Sequence, residues 1–212
     1  LYKDYTSGST GVPFKFAVDR GFVIRGLAFG RRIFRMLGYR QGDSIVRFSP
    51  SDRPGFSFGD YYFSVPDYDV LEKRAGDFID KYDCRTVIIY GVSSYLVELA
   101  KILSRLKHGV KFRAAIASGE ALSDIQKDFI SQNLNCPVLR CYVSRELGWI
   151  AAECPLGGLH INAERVYIEV VDDRGRVLSP GREGRIIVTM FDNEAVPFIR
   201  YDTADVGEIL PK

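Results

Sequence analysis

The chain has 212 residues, 46% of them hydrophobic and 13% aromatic, enough for the core of one large domain or two small ones. Its 29 Lys and Arg against 27 Asp and Glu leave a net charge of +2, which argues against a nucleic-acid binder built on a broad basic face. No apolar run approaches the ~18 residues a membrane span needs, and no basic-then-apolar leader opens the chain. We expect a soluble protein.

Residues 14–18 (FKFAV) alternate as a short strand. From Asp19 to about Leu37 the pattern is helical, with Ile24, Leu27, Phe34 and Leu37 on one apolar side and Arg25, Arg32 and Arg35 off it. These arginines read as a solvated helix face, the alternative being a polyphosphate or nucleic-acid surface. Residues 44–48 (SIVRF) and 86–90 (TVIIY) are expected as buried strands, with 49–60 the longest irregular stretch between them. A helix is expected over 95–107, ending at His108 and Gly109, with Gly109 as its C-cap. Then follow a strand at 112–117, a helix at 122–134 opening near Ser123 and Asp124, and a strand at 137–143. Alternation at this spacing predicts an α/β fold with a doubly wound, mainly parallel sheet, whose ligands collect at the carboxyl ends of the strands. After about residue 148 the pattern changes. Residues 166–171 and 185–190, separated by the turn Asp172-Asp173-Arg174-Gly175, predict an antiparallel hairpin region. The expected division is an α/β nucleotide-binding part over 1–148 and a smaller β-rich part over 149–212.

The run Thr6-Ser7-Gly8-Ser9-Thr10-Gly11 places hydroxyls and backbone N–H groups together before Pro13 and Lys15. Glycines allow a ligand to approach the backbone, and consecutive N–H groups form an anion-binding concavity. Lys15 adds a cation. The run lacks the Gly-Lys-Ser/Thr ending of a P-loop, and the chain has no G-x-G-x-x-G. A flexible linker is the competing reading, although linkers seldom run straight into an apolar strand.

TSGSTGVPFK resembles the phosphate-loop signature T-S-G-[ST]-T-G-x-P-x-K of the adenylate-forming superfamily, which includes acyl- and aryl-CoA ligases, firefly luciferase and nonribosomal adenylation domains. Three later segments follow in the family's order. SGEALS (118–123) is similar to SGE-x-L-S, YVSRE (142–146) to Y-G-x-[ST]-E, and RYDTAD (200–205) to R-Y-x-T-G-D. The segments AAEC, GGLHI and PFIRYDTAD are most similar to the phenylacetate–CoA ligase branch, with its coenzyme F390 synthetase-like and capsule-synthesis relatives.

The resemblance implies ATP, Mg²⁺ and coenzyme A as cofactors and a small-molecule carboxylic acid, aryl by analogy, as substrate. Thr6, Ser7, Gly8, Ser9, Thr10, Gly11 and Lys15 would hold the β- and γ-phosphates, with Thr10 and Lys15 closest to the chemistry. Glu146 would bind Mg²⁺, the alternative being an acidic helix start at Ser144-Arg145-Glu146. Ser118, Gly119 and Glu120 would meet the base through backbone contacts, with Glu120 alternatively solvated. Tyr142 would stack on adenine or serve as a core tyrosine. Asp205 would take the ribose hydroxyls or simply hold a turn; Asp202 is the weaker candidate. The chain departs from the signature at Val143, at Arg145 in place of a hydroxyl residue that touches the α-phosphate, and at Ala204 in place of glycine. Arg145 can still meet a phosphate through its fork of donors.

Four cysteines at irregular spacing, with no secretory signal, suit reduced thiols in the cytoplasm. Cys136, Cys141, Cys154 and His160 also allow a zinc reading, against which stand the irregular spacing and the habit of free cysteines to be small buried hydrophobes. His160 is alternatively a substrate-pocket wall, Tyr90-Gly91-Val92 and Phe56–Phe63 line an aryl pocket or belong to the core, and His108 is a helix-capping residue. The expected protein partners are the family's C-terminal lid domain, absent from this chain, and a homodimer mate.

Overall fold

The computed structural model describes residues 1–5, 14–49, 61–64 and 68–211. The elements run β1 (Tyr2–Tyr5), β2 (Lys15–Val18), α1 (Arg20–Met36), β3 (Ser44–Ser49), β4 (Tyr61–Ser64), α2 (Tyr68–Tyr82), β5 (Thr86–Val92) and α3 (Ser93–Leu103). They continue with β6 (Lys111–Ser118), α4 (Asp124–Leu134), β7 (Val138–Ser144), β8 (Gly148–Glu153), β9 (Leu159–Ile161), β10 (Val166–Val171), β11 (Gly184–Met190) and β12 (Tyr201–Gly207). The main sheet has the order β4-β3-β5-β6-β7-β8-β9, and the pairs β3–β4, β3–β5, β5–β6 and β6–β7 are parallel. This is the expected mainly parallel α/β sheet. Two smaller sheets are antiparallel, β1–β2 and β10–β11–β12.

Compactness groups the chain into two units whose segments interleave. One comprises Leu1–Arg25, Ser144–Ile150 and Ile161–Lys212; the other comprises Gly26–Val143 and Ala151–His160. The single boundary expected near residue 148 is simpler than this grouping, in which the first 25 residues belong with the β-rich region.

The larger unit follows from its apolar patterns. Strand β5 buries Val87 to Gly91 without alternation, as a strand covered on both faces must. Helix α2 buries Leu71, Ala75, Phe78 and Tyr82, an i, i+4, i+7, i+11 stripe, and Phe78 meets Phe48 of β3 edge-on at 5.4 Å. Gly91 is required by close approach: a Cβ there would lie 2.6 Å from the Phe48 carbonyl oxygen. Helix α4 opens with a reciprocal capping box between Ser123 and Gln126 and closes on Asn135 at φ 49°. Arg113 and Asp43 form a bidentate pair at 2.6 and 3.0 Å. Burial pushes the Asp43 carboxyl up, but the Arg113 hydrogen bond and charge and the Arg40 amide outweigh it and hold the carboxyl below its usual range.

The smaller unit is organised around a buried charge. Asp192 accepts from Arg165 Nη2 at 3.2 Å and from Arg25 Nε at 3.3 Å, while its backbone carbonyl accepts from Arg25 Nη2 at 2.6 Å. The Arg165 guanidinium also lies 4.9 Å from the centre of the Phe22 ring. Asn193 and Glu194, next in sequence, bond to the Ala17 carbonyl and the Asp19 carboxylate at 3.1 and 2.7 Å.

Several local expectations are corrected. Helix α3 stops at Leu103, where Ser104 N–H closes on the Ala100 carbonyl and the Ser104 hydroxyl on Lys101, so neither Gly109 nor His108 caps it. Gly109 donates its N–H to Asp83 Oδ1 at 2.5 Å, and a Cβ there would lie 2.8 Å from that oxygen; the glycine serves close approach. Ile24 of α1 is 52% exposed, and the buried stripe is Phe22, Phe29, Ile33, Phe34 and Leu37. Ser144 ends a strand, and Arg145 to Leu147 form a turn, which removes the helix-start alternative for Glu146.

Candidate active site

Strands β1 and β2 pair in a register that sets Tyr2 opposite Val18 and Tyr5 opposite Lys15. The two ends of the glycine–hydroxyl loop are thereby held side by side. Thr6, Ser7, Gly8, Ser9, Thr10 and Gly11 themselves lie outside the described residues, as does Phe56 to Phe63 apart from the backbone of β4. Lys15 is exposed at the start of β2, while Phe16 and Val18 are buried on the opposite face. Phe14 and Phe16 both contact Phe198 with ring centroids 6.3 Å apart, and Phe198 meets Tyr201 edge-on at 5.1 Å. Aromatic packing therefore joins the loop's exit strand to the first residue of β12.

Glu146 is buried in the turn after β7, where Leu147 N–H closes on the Ser144 hydroxyl at 3.1 Å. The Tyr201 phenol lies beside the Glu146 carboxylate. Burial first, and then that carboxylate's charge, raise the Tyr201 phenol above its usual range. Arg145 Nη1 donates to Asp4 Oδ1 at 2.9 Å, so the residue expected on a phosphate is engaged with the strand that enters the loop. Tyr201 and Asp4 were not among the sequence candidates. Tyr201 lies inside RYDTAD, whose mixed polar and apolar order gives no strand period, and Asp4 has its partner 141 residues away.

Asp205 is exposed in β12, and its N–H donates to Thr203 Oγ1 at 3.2 Å, which in turn donates to the Ile186 carbonyl at 3.0 Å. Asp202 is paired with Arg185 and accepts from Ala204 N–H at 2.9 Å, which occupies it structurally. Ala204 has φ 60°, in the left-handed region that favours glycine. Ala204→Gly is expected to stabilise the protein by about 0.5–1 kcal/mol, the relieved strain exceeding the added entropy of the unfolded chain. Urea denaturation checks this, and an unchanged midpoint would refute it.

In the larger unit, Ser118, Gly119, Glu120 and Tyr142 stand at the carboxyl ends of β6 and β7. Gly119 has φ 77°, turning the chain out of β6. Ser93 Oγ donates to the Glu120 carbonyl at 2.8 Å, and the Glu120 carboxylate accepts from Ser94 N–H at 3.1 Å. Glu120 is thus tied to the first turn of α3, where a carboxylate is favoured by the helix dipole. Tyr142 is half-buried. Tyr90 is buried with its hydroxyl on Ser118; burial raises its phenol pKa, partly offset by the charge of Arg47, whose guanidinium lies 5.4 Å from the ring centre.

The zinc set is not assembled. Cys136 and Cys141 are buried, and burial pushes both thiols up to about 12, helped at Cys141 by the charge of Glu153. Cys154 Sγ lies 3.2 Å from His160 Nε2 and donates to the Gly157 carbonyl at 3.0 Å. Among the described residues no three His, Cys, Asp or Glu side chains converge as a metal-binding group. The two buried thiols are expected to resist iodoacetamide at pH 8 in the folded protein while Cys84 and Cys154 label, which peptide mass spectrometry reads directly. Unfolded thiols ionise near their ordinary 9.0, so these two groups leave stability unchanged below about pH 9 and lower it as pH rises toward 12.

No family model matches the chain. A curated relative, the phenylacetate–coenzyme A ligase of Pseudomonas putida, is 32% identical over 220 residues, covering 97% of this chain and 50% of that protein. The chain belongs to the adenylate-forming superfamily. Another curated relative, protein CapK of Staphylococcus aureus, is 26% identical over 139 residues, covering 66% of this chain and 28% of CapK. Solved adenylate-forming enzymes share the fold. A 2-hydroxyisobutyryl-CoA ligase with 2-HIB-AMP and CoA superposes with a TM-score of 0.74 at 20% identity, over 97% of this chain and 48% of its own. ATP-bound MatB of Rhodopseudomonas palustris gives 0.65 at 17% identity, over 98% and 45%. The chain spans half or less of the length of these relatives. No helix among the described residues is long and apolar enough to cross a membrane.

Proposed function

We propose that the protein carrying this chain activates a carboxylic acid as its adenylate, with release of pyrophosphate, and passes the acyl group to coenzyme A. An aryl acid is the proposed substrate, by likeness to phenylacetate–CoA ligases. The observation that carries the reading is the linked set in the smaller unit. Tyr5 faces Lys15 across the loop's base, Arg145 reaches Asp4, and Tyr201 joins Glu146 to the strand bearing Asp205.

The chemistry asks for restraint of charge rather than a general base, because a carboxylate is already a nucleophile. Its attack brings one anion onto another, so aligned donors and cations must offset the repulsion. Lys15 and the loop's N–H and hydroxyl groups would hold the β- and γ-phosphates, and Asp205 the ribose hydroxyls. Glu146 fits a Mg²⁺ held chiefly by phosphates, which takes one or two protein carboxylates. Such an ion, when bound, neutralises developing charge on the phosphates. Gly119 and Tyr142 would line the base. We place the reaction in the cytoplasm, which supplies ATP and coenzyme A and keeps the four thiols reduced. The family's lid domain, a magnesium ion and a homodimer mate complete the proposed partners.

A second reading, a noncatalytic nucleotide- or acyl-binding module, is favoured by Arg145, which engages Asp4, and by the strained Ala204. Acid-dependent ATP–pyrophosphate exchange by the full-length protein, with a panel of aryl and aliphatic acids, separates the two. Exchange with an aryl acid supports the ligase; ATP binding without exchange for any acid supports the module.

A further inference from the structure

We propose that the Arg145–Asp4 ion pair is a clamp that sets the entrance of the phosphate loop against the turn carrying Glu146, making both residues positioning residues for nucleotide binding. The proposal rests on the adenylation reading above. Arg145 and Asp4 meet at 2.9 Å with side chains 27% and 16% exposed, a setting less screened by solvent and salt than an open surface. Asp4 lies two residues before Thr6, so the chain enters the loop almost directly from the clamped side chain. Asp4 Oδ1 also accepts from Tyr5 N–H at 2.9 Å, which fixes its carboxylate against the backbone at the loop's base. Directly opposite Tyr5 stands Lys15. At the other end of the pair, Arg145 immediately precedes Glu146, which is buried in the same turn. One ion pair therefore joins the entrance of the anion loop to the candidate metal ligand.

A serine or threonine at position 145, as in the family signature, is too short to bridge to Asp4 as the guanidinium does. The arginine exchanges a local hydroxyl for a long charged tether whose planar donors suit a carboxylate. The departure at 145 is thus a change of role. A clamp acts on the strand at Asp4 and Tyr5, not on the reacting atoms, so its loss should weaken nucleotide binding more than turnover.

The test uses the full-length protein and four variants: Arg145→Ala, Arg145→Lys, Asp4→Asn and the charge swap Asp4→Arg with Arg145→Asp. Arg145→Ala and Asp4→Asn are expected to raise KM for MgATP in pyrophosphate exchange by about tenfold, with kcat within about threefold of the parent. Hydrogen exchange at residues 2–5 should quicken in both. Arg145→Lys should keep part of the binding, and the swap should restore most of it. The clamp is overturned if Asp4→Asn leaves KM unchanged, or if Arg145→Ala lowers kcat and the swap stays as weak as the single changes. A lower melting temperature with unaltered KM overturns it as well. These outcomes presuppose an active parent protein. A parent that neither binds ATP nor exchanges pyrophosphate with any acid removes the adenylation reading and the clamp together, whereas unaltered Asp4→Asn kinetics in an active parent remove the clamp alone.

Discussion

Glu146→Gln is expected to lower acid-dependent pyrophosphate exchange by about a hundredfold or more, because a neutral amide is a poor ligand for Mg²⁺ and leaves phosphate charge uncompensated. The substitution preserves shape and adds no charge to the interior, so the fold should persist. The change should also raise the Mg²⁺ concentration needed for half-maximal exchange. Both are read from initial rates over a magnesium titration at fixed ATP. Exchange within threefold of the parent, with the same magnesium dependence, would show that Glu146 is a structural carboxylate and that the cation is held elsewhere. The prediction separates these outcomes because Glu146 is buried beside the Tyr201 phenol, a setting that either role produces in a static structure.

The largest effect on stability is expected at Asp192. Its side chain is 7% exposed and faces Arg165, whose side chain is 4% exposed, with Arg25 reaching in from α1. Asp192→Ala leaves the Arg165 guanidinium buried without a counter-charge, a change that costs about 3–5 kcal/mol. The ring of Phe22 offsets only part of this. Against a typical total of ~5–15 kcal/mol, such a loss lowers the melting temperature by roughly 6–20 °C. Thermal denaturation followed by circular dichroism measures it. A loss below about 1 kcal/mol would mean that water reaches Arg165 and that the pair is not the organising charge of the smaller unit.

The parallel sheet was legible because its strands carry continuous apolar runs, as in TVIIY, and because helix signals punctuate them, as at Ser123. Helix α2 was not legible although Leu71, Ala75, Phe78 and Tyr82 fall on one stripe. Charged residues surround that stripe, as in YDVLEKRAGDFIDKY. The strands that flank the glycine–hydroxyl run were half legible. Lys15 stands out beside glycines and hydroxyls, and the strand beginning near it alternates cleanly. Its partnership with Tyr5 depends on a register that local sequence does not contain. The ion pairs were the least legible. Arg145 and Asp4, Arg165 and Asp192, and Arg25 and Asp192 bring together residues remote in the chain, and charge spacing carries no information about such meetings. Helix propensity also misled at Gly109, where a glycine after an apolar run answers to an aspartate carboxylate from another segment.

The register of the amino-terminal hairpin makes the distance from Tyr5 to Lys15 a ruler. Phe16 and Val18 are buried while Lys15 is exposed, so slipping the second strand by one residue would drive the ammonium inward and turn both apolar side chains outward. Adding or deleting a single residue between these positions therefore cannot be absorbed by sliding; the bend itself must bulge or tighten. Graded insertions between Tyr5 and Lys15 would show by urea denaturation how far the paired strands hold this register.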